Sequence, residues 1–287
     1  MRIIDKTRGM SKLLKCVRDI IVVAAIGVVA FLLAGVIVEA VNVANADVRF
    51  LVSYITPMLL MLSGVVLYSR VVIKPDERTL WSPRGLSPTV HIWGLLLLVA
   101  LAIVLSPLMR LLPAHQTDIP SGVWAVVTLV VVAPIVEELI FRGGVFTIMR
   151  GTCRPTMAAM ISALLFGVMH GQVAIAIEAF LAGVVFSYSY ILTQSIFAPI
   201  VLHIFNNVIA YVLLQFTYQD CTISDFIGAL PSFDIIYGIS LLILILGIVH
   251  IAITYRRADK LIKEGKTICD MAPKKSEKMS TKESEDK

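Results

Sequence analysis

Long apolar runs, separated by polar residues or by Pro and Gly, dominate the chain. They predict helices at about residues 20–42, 50–73, 89–112, 122–149, 156–172, 174–192, 197–217 and 233–254. Crossing a hydrocarbon core takes about 20 apolar residues, and most of these runs reach or approach that length. The expected fold is therefore all-α, a polytopic transmembrane helical bundle of about eight spans. The fifth run is short, which suits a helix that ends near a cavity instead of crossing fully. The first run exceeds the roughly 7–15 residues of a signal-peptide core and has no clear cleavage site, so it reads as a retained span. No repeat of fixed period stands out.

Composition supports the same class. Of 287 residues, 58% are hydrophobic and 16% charged, with mean hydropathy +0.88, whereas soluble domains carry about 25% charged residues. The net charge of +5 is concentrated at the ends. Arg2, Lys6, Arg8, Lys12, Lys15 and Arg18 precede the first run, and Arg256, Arg257, Lys260, Lys263 and Lys266 follow the last. Such clusters orient spans and touch anionic lipid. Nucleic acid is not an expected partner, because no compact basic domain accompanies the charge.

Lys and Arg also alternate between loops. Arg70, Lys74, Arg78 and Arg84, then Arg150 and Arg154, fall on one side; Glu39 and Asp47, then Asp118, then Asp220, Asp225 and Asp234 fall on the other. The expectation is an integral protein of the plasma membrane with both termini cytoplasmic. It divides into a basic cytoplasmic N-terminus (1–19), a transmembrane bundle (20–255, core about 120–217) and a basic cytoplasmic tail (256–287). The tail is Lys/Glu/Ser-rich from Ala272 and expected to be disordered. It ends Glu285-Asp286-Lys287, with no cysteine prenylation box. Cys16, Cys153, Cys221 and Cys269 are scattered, and their spacing implies neither a zinc site nor a disulfide framework.

Ionisable residues inside spans cost several kcal/mol unless paired or facing a polar cavity. Glu137, Glu138, Arg142 and His170 are such residues, and His203 and Asn207 join them. Glu138 and Arg142 stand at i and i+4, acid first, the favourable order for an ion pair. Glu137 is turned about 100° from Glu138 on a helix of 3.6 residues per turn, which leaves it available for chemistry. If both acids served only to neutralise Arg142, one carboxylate would be surplus. His203 and Asn207 also share a face at i and i+4, while Asn206 lies off it. A polar clamp between helices would explain that pair alone. Three spans offering polar groups at matched spacing point instead to one shared site.

The chemistry open to this set is hydrolysis. A glutamate can deprotonate water, a histidine can position it, and a His/Asn pair can donate to an oxyanion. Two imidazoles and a carboxylate (Glu137, His170, His203) would also suit zinc, and the residues alone leave both routes open. There is no H-E-x-x-H, no G-x-S-x-G and no Walker loop.

The motifs Glu137-Glu138…Arg142, Phe166…His170 and His203…Asn207, in that order on separate spans, resemble those of the type II CAAX prenyl protease family, also called the CPBP or Abi group of intramembrane endopeptidases. Phe180…Gly183 is similar to a further F-x-x-G stretch of that family. The resemblance covers about residues 120–217. It implies Glu137 as general base, His170 holding the water or orienting the glutamate, and His203 with Asn207 as oxyanion hole. Family members have been described both as metalloproteases and as metal-free glutamate proteases. Asn207 is a good donor and a poor zinc ligand, so no cofactor is the favoured expectation, with zinc as the alternative. The implied partner is a membrane-associated peptide or protein, prenylated or secreted. Two other readings compete: a non-catalytic immunity or scaffold protein on the same framework, and a proton-coupled transporter, to which Glu178 would contribute. The second lacks the matched halves usual in transporters.

The loop charges predict that cysteines introduced at 118 and 225 react with an impermeant thiol reagent from outside, and those at 78, 154 and 260 only from inside. Termini on opposite sides of the membrane would contradict the eight-span topology.

Overall fold

The computed structural model describes residues 11–72, 82–109, 111–112, 122–216 and 232–266. The charges expected at Arg2, Lys6, Arg8, Lys74, Arg78, Asp118, Asp220 and Asp225, together with Cys221, Cys269 and the tail from Ala272, lie outside these residues. Among the described residues there are eight principal helices and no strand: α1 Lys12–Val41, α2 Ala46–Val72, α3 Pro88–Met109, α4 Val123–Arg150, α5 Pro155–Val168, α6 Val173–Thr193, α7 Phe197–Phe216 and α8 Phe233–Lys263.

Six of these, α1, α2, α3, α4, α6 and α8, are long and apolar enough to cross a membrane. The fifth has 14 residues, about 21 Å at 1.5 Å per residue, less than a hydrocarbon core of about 30 Å. It therefore covers only part of the bilayer's depth. Two boundaries differ most from the hydropathy pattern. α1 starts at Lys12, where Ser11 caps it by accepting from Leu14 N–H at 3.3 Å. α8 runs on from 254 through the basic stretch to Lys263. Apolar runs mark where a helix enters lipid, whereas caps decide where it begins and ends.

Burial sorts the helices into layers. Of its most apolar 18 residues α6 buries 56% and α4 44%, against 22% for α1 and 11% for α8. Thus α4 and α6 form the centre, and α1 and α8 present the exposed Leu, Ile and Val side chains that a lipid-facing surface needs. The core joins Val65 of α2, Leu97 of α3, Ile140, Phe141 and Phe146 of α4, Phe166 of α5, Phe186 and Ile191 of α6 and Leu202 of α7.

Two helices are capped by carboxylates from elsewhere in the chain. Asp47, in the first turn of α2, accepts from Trp124 N–H at 3.0 Å and Ala125 N–H at 2.7 Å, the free donors at the start of α4. Asp259 of α8 accepts from Thr156 N–H at the start of α5 at 3.0 Å. Each satisfies orphan N–H groups and sets a negative charge against a positive helix end.

α5 and α6 form a tight hairpin around a turn at Gly171, whose φ is +72°. They approach closely because a glycine stands at each contact. A Cβ at Gly167 would lie 2.6 Å from the Ala176 carbonyl oxygen, and one at Gly183 would lie 3.2 Å from Ala163 Cα. Backbone cannot yield as a side-chain tip can, so Gly167→Val is expected to cost about 1–3 kcal/mol. Gly35→Ala, facing open space, should be neutral or slightly stabilising. Thermal unfolding in detergent checks both; equal midpoints for the two variants would refute this account of the hairpin.

Candidate active site

The α4 helix carries the acids, and its backbone departs from α geometry on both sides of them. Thr128–Val132 and Leu139–Val145 are π-helical, a form found mostly as short bulges near functional sites. In the first stretch Ala133 N–H bonds back five residues to Thr128 O. The next bond in that register would need an N–H on Pro134, which proline lacks. The carbonyl of Leu129 is thereby left for another donor, and Asn207 Nδ2 of α7 supplies it at 2.9 Å. In the second stretch Phe146 N–H bonds to Phe141 O, and Ser162 Oγ of α5 donates to the same carbonyl at 2.9 Å.

Glu138 and Arg142 are fully buried. Arg142 Nη1 donates to Glu138 Oε1 at 2.5 Å, and Nη2 to the carbonyl of Gly183 on α6 at 2.8 Å. The guanidinium lies against two aromatic rings, with Cζ 4.9 Å from the Phe166 centroid and 5.3 Å from that of Phe186. Glu138 is also more than a counter-ion: His203 Nδ1 bonds the same Oε1 at 3.0 Å. The imidazole is stacked on Phe186 at 4.7 Å and 24°, and Phe166 meets it edge-on at 5.6 Å.

This clamp aims the other ring nitrogen. His203 Nε2 lies 3.6 Å from Oε2 of Glu137, which is 8% exposed, and His203 itself is 3% exposed. The second carboxylate oxygen, Oε1, accepts from the hydroxyl of Tyr54 on α2. His170 sits at the end of α5, partly exposed, its Nδ1 bonded to Phe166 O at 2.9 Å and its ring edge-on to Phe166 at 4.9 Å. Asn206 Nδ2 donates to Asn207 Oδ1 at 3.3 Å.

The structure thus brings Glu137, Glu138, Arg142 and His203 into direct contact, ties Asn207 to the backbone just before them, and sets His170 against the shared Phe166. Tyr54 and Phe186 were not indicated by the sequence pattern. Tyr54 lies 83 residues from Glu137, outside any motif, and Phe186 is one apolar residue among many on its span. Among the described residues no three His, Cys, Asp or Glu side chains converge on a position that could hold an ion.

These features define a membrane-type helical bundle with an acid–imidazole site at its centre. Residues 119–209 match the family model described as type II CAAX prenyl endopeptidase Rce1-like, the segment whose motifs resemble that family. An uncharacterized 24.3 kDa protein of Escherichia coli is 32% identical over 124 residues, covering 42% of this chain and 57% of that relative. The chain thus spans little more than half the length of this curated relative. No solved structure matches the chain.

Glu138→Gln removes the carboxylate that compensates Arg142 and bonds His203. Breaking a buried pair from one side costs about 3–5 kcal/mol, because it strands a charge. The variant should unfold at lower temperature in detergent. Wild-type stability for Glu138→Gln would show that Arg142 is neutralised elsewhere.

Proposed function

We propose that this chain is an intramembrane endopeptidase of CAAX type, hydrolysing a peptide bond near the C-terminus of a membrane-associated peptide or protein, with Glu137 as general base. The observation that carries the reading is the setting of Glu137. It is buried, held at Oε1 by Tyr54 with Oε2 facing His203, and Arg142 is already engaged by Glu138. Such a carboxylate is placed to accept a proton.

In the proposed reaction, water held near Oε2 loses a proton to Glu137 as its oxygen attacks the scissile carbonyl. His170, with Nδ1 engaged by Phe166 O, presents Nε2 to hold that water. The oxyanion is stabilised by the Asn207 amide, which has a second N–H beyond the one given to Leu129, with His203 beside it. Collapse breaks the C–N bond, and the proton on Glu137 passes to the leaving amine. The products are a carboxylic acid and an amine, and the base is restored. Glu138 and Arg142 touch no substrate in this scheme; they hold His203. The substrate is a prenylated or secreted peptide reached from the bilayer, and the protein lies in the plasma membrane with both termini cytoplasmic.

The test uses purified protein in detergent with a quenched fluorescent peptide, supplied with and without a farnesylated cysteine four residues from its C-terminus. Glu137→Gln keeps the shape but is a far weaker base, and should lower turnover by about 10²–10⁴ with the unfolding midpoint little changed. Full activity in Glu137→Gln would remove this residue as the base. The reaction as proposed also needs no cofactor. Stoichiometric zinc lost in His203→Ala, with chelator inactivation reversed by zinc, would replace it with a metal-dependent one.

A further inference from the structure

One polar contact of the site comes from a helix outside the motif-bearing segment. The α2 helix begins beside the start of α4, where Asp47 caps Trp124 and Ala125. Farther along, Val65 occupies the space that a Cβ on Gly144 would need. The two helices therefore run parallel, fixed to each other above and below the level of the acids. Between those two contacts α2 presents Tyr54, whose hydroxyl donates to Glu137 Oε1. The ring packs against the core that holds Val136 and Ile140, on either side of the two glutamates.

We infer that Tyr54 is a positioning residue for Glu137, holding Oε1 so that Oε2 is the working oxygen of the base. The inference rests on the role of Glu137 given above. A carboxylate has two equivalent oxygens and rotates about its last bond, so an acid free in a cavity presents either one. Here the oxygens are made inequivalent. Oε1 faces a phenol that donates and Oε2 faces His203 Nε2 at 3.6 Å, a gap that a small shift or one bridging water closes. A proton taken up at Oε2 is then next to the imidazole, on the side from which His203 acts. The bond also leaves the phenol hydroxyl satisfied within the bundle, where an orphan would be costly. Glu138 is held in the same manner by other groups: Arg142 and His203 both bond its Oε1. Each acid thus has one oxygen assigned by its neighbours, Glu138 for structure and Glu137 for orientation.

The experiment compares wild type, Tyr54→Phe, Glu137→Leu and the double variant in two measurements. With the farnesylated and unprenylated peptides, Tyr54→Phe should lower kcat about tenfold, ~1.4 kcal/mol in the barrier, with KM within about twofold, because the hydroxyl orients the base and touches no substrate. In thermal unfolding, Tyr54→Phe should lower the midpoint by a few degrees in the wild-type background and by much less in Glu137→Leu, since the bond is already gone there. Wild-type kcat for Tyr54→Phe, or an equal midpoint change in both backgrounds, would overturn the inference. If wild type cleaves neither peptide, the peptidase reading fails, while the unfolding cycle still decides whether Tyr54 holds Glu137.

Discussion

A guanidinium without solvent contact in an apolar bundle must be compensated within the protein, and this requirement organises the centre of the molecule. Arg142 is met by Glu138 one turn earlier on α4, by the Gly183 carbonyl of α6, and by the ring faces of Phe166 and Phe186. Those groups come from three helices, so satisfying one charge fixes the mutual placement of α4, α5 and α6. Gly183 contributes twice. Its missing Cβ leaves room for both the guanidinium and Ala163 of α5, and its carbonyl serves as acceptor. Ion pairs of this kind are seldom net stabilising when compared with apolar packing of equal volume, but their loss from one side is severe. That asymmetry makes the pair a device for specifying one arrangement.

The same pair reaches the candidate site through Glu138 Oε1, which bonds both Arg142 and His203. Orientation is passed on from group to group. Arg142 holds Glu138, Glu138 with Phe186 holds the imidazole, and the imidazole faces Glu137. The arrangement follows the general logic of a reactive group, a partner and an orienter, here distributed over α4, α6 and α7. His170 joins through Phe166, which touches Arg142 and both imidazoles.

The backbone of α4 shows how one residue type alters geometry at a distance. Pro134 lies three residues before Glu137 and has no N–H, and the π turn before it leaves the Leu129 carbonyl open. Asn207 fills that position from α7. The asparagine, read in the sequence as a donor toward reacting atoms, is thus also a brace between α4 and α7. Its alignment with His203, one turn away on the same face, means that the brace and the imidazole move together.

The hydropathy runs and the i, i+4 spacings were legible in the chain because both are local. A span is a property of about 20 consecutive residues, and a helix turn relates Glu138 to Arg142, or His203 to Asn207, without reference to any other segment. The existence of the helices, the pairing of Glu138 with Arg142 and the separate orientation of Glu137 follow from this. The π turns, the sharing of Glu138 by His203, and the contact of Tyr54 with Glu137 do not. Each of these depends on which helices lie side by side and how deeply they interlock. That was settled by the glycine contacts of α5 with α6, by the Asp47 cap that aligns α2 with α4, and by the need to compensate the buried Arg142. Helical periodicity says toward which side of its own axis a residue points; only packing decides what stands there to meet it.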